Sequence, residues 1–66
     1  MLKNLIQGES GVSLCSTIGK DLYVHCDNPA RIMSLIAIHV KREDMRLNIS
    51  IDMVDVGVWR LVVKGA

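Results

Sequence analysis

The chain has 66 residues, half of them hydrophobic, a net charge of +1, two cysteines and only two aromatic side chains, Tyr23 and Trp59. That length holds one domain, residues 1–66, near the lower limit of independent folding, because so small a chain buries only about 60% of its unfolded surface. The near-neutral charge excludes the strongly basic footprint of a general nucleic-acid binder, and no stretch approaches the roughly 18 apolar residues of a membrane-spanning helix.

With no Phe, the core has to be built from Ile, Val, Leu and Met, which offer less buried area per residue than aromatics. A high apolar fraction on so few interior positions predicts association, and a homo-oligomer is expected. The opening Met1-Leu-Lys-Asn-Leu-Ile-Gln7 is too short and polar for a signal-peptide core. The expected compartment is therefore the cytoplasm, with Cys15 and Cys26 as reduced thiols.

Residues 1–10 read as a short N-terminal arm or turn. Leu2, Leu5 and Ile6 have the i, i+3, i+4 spacing of one helical turn, and a loose arm is equally allowed. Gly8 and Gly11 then bracket a turn. Val12, Leu14 and Ile18 share one alternation phase, with Ser13, Cys15 and Thr17 on the other. After Gly19-Lys20-Asp21 the alternation resumes as Leu22, Val24 and Cys26 against Tyr23 and His25, which predicts a β-hairpin. A two-residue loop at Lys20-Asp21 would set Cys15 opposite Cys26; a register moved by two residues would set them diagonally and make a disulfide difficult.

Asp27-Asn28-Pro29 is the clearest punctuation. A side-chain oxygen at the cap and Pro at the first helical position start a helix, predicted from Ala30 to about Arg42. Ile32, Leu35, Ile36 and Val40 form its apolar stripe, opposite Arg31, Ser34, Lys41 and Arg42. Ile36, Ile38 and Val40 also alternate with Ala37, His39 and Lys41 as a strand would; the start signal favours the helix. After the mixed charges of Lys41-Arg-Glu-Asp44 comes a second hairpin. Its first strand, residues 45–53, sets Leu47, Ile49, Ile51 and Met53 against Arg46, Asn48, Ser50 and Asp52. A turn is expected near Val54-Asp55, then a strand over 56–63 that is apolar on both faces, with Arg60 its only charge. Trp59 and Leu61 are assigned inward, since a large aromatic gains most from burial.

The fold class is thus α+β: β-hairpin, helix, β-hairpin (ββαββ), with the helix across one sheet face and dimerisation as a means of completing it. Chemistry is sparse. His25 and Cys26 are neighbours on opposite strand faces and cannot hold one metal ion, and no Cys-x-x-Cys spacing occurs. A Cys–His nucleophile pair would need a cleft that a chain this short hardly provides, and Gly8-Glu-Ser-Gly11 lacks the Lys and preceding strand of a phosphate loop. A non-enzymatic regulatory or assembly protein is expected, with no cofactor and no metal. Val56, Val58, Arg60 and Val62 are the candidate partner-binding residues, an apolar patch around a guanidinium of the kind interfaces enrich.

The alternative is an RNA-binding post-transcriptional regulator, with Lys41, Arg42 and Arg46 as candidate RNA or phosphate contacts beside Arg60. Val56-Gly-Val-Trp-Arg60 resembles the Val-x-Val-x-Arg strand signature of the carbon storage regulator family, and Lys41-Arg-Glu-Asp44 resembles its His-Arg-Glu-Glu stretch. These matches need different alignments and cover about a dozen residues, and Lys3 stands alone where that family has a basic first strand. The resemblance implies a dimeric β-fold and RNA binding. Protein is the favoured partner over RNA.

Overall fold

Asn28 starts the longest helix as its side chain suggests: the Arg31 backbone N–H donates to Asn28 Oδ1 at 3.3 Å, and the helix runs over Pro29–Glu43. Lys41 and Arg42 in its last turn suit the negative end of the helix dipole. The computed structural model describes residues 2–43 and 46–65. The elements are α1 (Leu2–Gln7), β1 (Val12–Ile18), β2 (Asp21–Cys26), α2 (Pro29–Glu43), β3 (Asn48–Asp55) and β4 (Val58–Lys64). The domain is α+β, in the predicted hairpin–helix–hairpin order, with α1 added in front. Asp44, the last residue of the charged run, Met45, where the second hairpin was expected to begin, and Ala66 lie outside the described residues.

The strands form one antiparallel sheet of order β1-β2-β4-β3, so the two hairpins join through their second strands. Direct pairing sets Leu22 beside Val63 and Val24 beside Leu61, all at most 1% exposed. Ile32 and Ile36 of α2, with Leu2 and Ile6 of α1, close the core on the same face. The core is aliphatic apart from the Cys26 thiol. Trp59 points to this inward side as expected, but at the edge of the core and only half-buried.

The two helices differ in what settles them. Leu2 and Ile6 are buried while Leu5 stays 42% exposed, so the N-terminal arm is helical because two side chains on one stripe find the core. Arg31 on α2 reaches Glu9 at 3.3 Å, tying the following turn to the long helix.

Three turns and phases depart from the sequence reading. The first loop is Gly19-Lys20, since Ile18 pairs Asp21. A register shift between Val12 and Leu14 parts those two residues: Val12 and Cys15 pack toward the core, while Leu14 and Ile18 face outward. The second turn is Val56-Gly57 rather than Val54-Asp55, because Gly57 takes φ 74, which a residue with a Cβ adopts only under strain. Val54 and Asp55 therefore extend β3, and the Asp55 carboxylate accepts the Val56 N–H at 2.7 Å.

Gly11 sits where the first hairpin meets α2. Its φ is 86, its carbonyl accepts the Asp27 N–H at 3.1 Å, and a Cβ there would overlap the Asp27 carboxylate. Gly11→Ala is expected to cost about 2 kcal/mol or more in urea unfolding, from left-handed strain added to displacement of Asp27. Gly8, with open space around it and no left-handed φ, is the control, and Gly8→Ala should be neutral or slightly stabilising. Equal effects at both positions would contradict this account.

Candidate functional site

Alternation along each strand, combined with the register between them, sorts the sheet into two unlike faces. The helices cover one. On the other, none of the outward strand residues is buried. Register lines up Leu14, His25, Arg60 and Asp52 in one row across all four strands, and Ser16, Tyr23, Val62 and Ser50 in the next. Val58 continues the face toward the second turn, and Ile18, 66% exposed, ends it on β1.

Of the expected contact residues, Val58, Arg60 and Val62 lie together here. Val56 does not: it is in the turn, 90% exposed and off the sheet face. Nor does Arg60 stand alone. Pairing of β3 with β4 sets Asp52 directly opposite, and the guanidinium donates to both carboxylate oxygens, Nη2 to Oδ2 at 2.7 Å and Nε to Oδ1 at 3.4 Å. The sequence reading had both residues on outward positions of their own strands without joining them. Tyr23, His25 and Leu14 were likewise missed as members of the face; the β2 alternation pointed to the first two, but only the β2–β4 pairing makes them neighbours of Arg60.

The candidate RNA contacts are not assembled. Lys41 and Arg42 are exposed in the last turn of α2, in the layer that packs on the inward face, whereas Arg60 projects from the outward one. Arg46 is exposed in the segment leading to β3. Arg60 is also paired with Asp52, and the other strand cation, Lys64, is exposed at the end of β4 on the same alternation phase as Arg60.

Both thiols are free and point to the inward face. Cys15 pairs Val24 and Cys26 pairs Val12, so they are diagonal, the register in which a disulfide is difficult. Burial pushes the Cys15 thiol up, against the lowering effect of Lys3. Burial likewise raises Cys26, opposed by a backbone hydrogen bond from Asn28 and aided by the charge of Asp27. Among the described residues, no three of His, Cys, Asp and Glu converge as a metal cluster would require. No protein family, curated protein or solved structure matches this chain. The Val56-Gly-Val-Trp-Arg60 stretch straddles a turn and a strand start, and α2 is a 15-residue helix, unlike the β-fold that resemblance implied.

Three outcomes are expected. The Arg60–Asp52 pair is 40% and 50% exposed at its side chains, so a double-mutant cycle should give under about 1 kcal/mol of stability; a much larger coupling would mean the outward face is covered in the isolated chain. The raised thiol pKa values favour the neutral form in the fold. Their contribution to stability is full below the unfolded thiol pKa and is lost as pH rises through the folded values, so the urea midpoint should fall on the alkaline side. Iodoacetamide at neutral pH should label Cys26, 2% exposed, only as the protein unfolds.

Proposed function

We propose that this chain is a non-enzymatic binding protein, a small regulatory or assembly component of the cytoplasm, that acts by docking another protein on the outward face of its sheet. One observation carries the reading. An antiparallel sheet with one solvated face normally alternates apolar-in and polar-out. Here the outward positions of β1, β2 and β4 instead hold Leu14, Ile18, Tyr23, Val58 and Val62 around the Arg60–Asp52 pair. Apolar and aromatic surface around an arginine is what protein interfaces enrich at their centres. The complementary partner surface is apolar, with a polar group able to meet the ion pair.

A specific feature also favours the RNA reading: Tyr23 and His25 sit on a central strand beside Arg60, and exposed aromatic and guanidinium planes on a sheet can stack bases. Lys41 and Arg42, however, lie in the helix layer, which leaves phosphate contacts on this face to Arg60 and to Lys64 at the exposed end of β4.

Capture from native extract, with and without nuclease, separates the two. Protein docking predicts capture that survives nuclease and changes little between about 50 mM and about 200 mM salt, the range over which phosphate contacts weaken steeply. Val62→Glu should keep the circular-dichroism spectrum yet weaken capture by roughly 2 kcal/mol, as loss of a central interface contact does. Capture abolished by nuclease would establish the RNA reading instead. Capture unchanged by Val62→Glu would remove the outward face as the contact.

A further inference from the structure

We infer that the free edge of β3 is a self-association site that takes β3 of a second copy, antiparallel across a twofold axis centred on Ile51. Three observations converge on this strand. First, cover ends abruptly there: Leu61 on β4 is 0% exposed, but Ile51 beside it on β3 is 45% exposed, and Met53, beside half-buried Trp59, is 55% exposed. The apolar inward face thus runs past the helices to the sheet edge. Second, β3 is an edge strand whose outer backbone groups no other strand pairs among the described residues, and over Asn48–Met53 it carries no Lys, Arg, Pro or register shift to protect the edge, its one charge, Asp52, being engaged by Arg60. The register shift of β3 lies beyond Met53, whereas the opposite edge, β1, has α1 packed against it.

Third, β3 is complementary to itself in one register. Residues facing each other across an antiparallel pair share a sheet face, so a twofold axis must fall on a residue position. Centred on Asp52, it would oppose two carboxylates, which destabilises the pair. Centred on Ser50, it would leave Met53 opposite Leu47, before the start of β3. Centred on Ile51, it sets Ile51 against its own image and Met53 against Ile49 of the second copy, covering the two exposed inward side chains. The same register faces Asp52 with the Ser50 hydroxyl of the second copy, a hydrogen-bond donor, and leaves the Arg60–Asp52 pair in place. The product is a continuous eight-stranded sheet.

This edge is separate from the outward face proposed above for a partner, and the two fail separately. Sedimentation from low micromolar to near millimolar concentration should show the wild-type mass rising to that of two chains. Ile51→Lys should weaken the dimer at least about tenfold, since a lysine on an edge strand opposes pairing, while the circular-dichroism spectrum is retained. Ile51→Cys tests the register even if that variant misfolds. Its sulfur would face its own image at a distance suited to a disulfide, so mild oxidation should yield a covalent dimer where wild type yields none. Ile49→Cys should yield none either, because the two copies of that residue would stand roughly 13 Å apart along the strands. A mass of one chain throughout the range would overturn the proposal. So would cross-linking through Ile49→Cys in place of Ile51→Cys, or a dimer unaffected by Ile51→Lys. A dimer broken by Val62→Glu instead would mean that copies meet through the outward face.

Discussion

The antiparallel pairing of β2 with β4 is the constraint on which the rest depends. Neither hairpin could stand alone, since an isolated two-stranded ribbon is marginal in water. Joined through Leu22–Val63 and Val24–Leu61, they make a four-stranded sheet with a continuous aliphatic floor on which both helices rest. The pairing also decides what the far side presents. His25 meets Arg60 and Tyr23 meets Val62 because of this register, and a slip of one residue would exchange every inward side chain of one hairpin for an outward one.

The aliphatic core explains why the cover is incomplete. Ile, Leu and Val fill the space under α2 and α1, but two helices of 15 and 6 residues are too little to roof all four strands. The roof lies over β1, β2 and β4, with α1 closing the β1 side and the Arg31–Glu9 pair linking the two ends. Trp59 and Met53, in the same row near the second turn, are left at its margin.

Much of this was readable from the residues because it is local. Asn28-Pro29 announces α2, and the inward sets of β2 and β3 follow from period-two alternation. The departures have local causes too. Val12 and Leu14 look in phase until a register shift parts them. The second turn settles on Val56-Gly57 because Gly57, unlike Val54 or Asp55, takes a left-handed conformation without strain. What could not be read is which strands become neighbours. Arg60 looked solitary because nothing in a linear pattern sets Asp52 across from it or His25 beside it. The basic residues at the end of α2 and just beyond it looked continuous with Arg60 for the same reason: a list of cations does not record which layer or sheet face each one occupies.

The hydrogen bond from Asp27 N–H to the Gly11 carbonyl has a kinetic consequence. It closes the open end of the first hairpin, whose other end is closed by Gly19-Lys20, so this ribbon is a short-range unit able to form early. The β3–β4 hairpin is short-range as well. The contacts between the two ribbons are not: Leu22 and Val63 are separated in the chain by α2 and most of the second hairpin, and the loop between them must close before their burial is gained. Folding speed therefore rests on that one docking event. Until it is complete, Val24 and Leu61, the most deeply buried pair in the native state, remain open to water and to other chains.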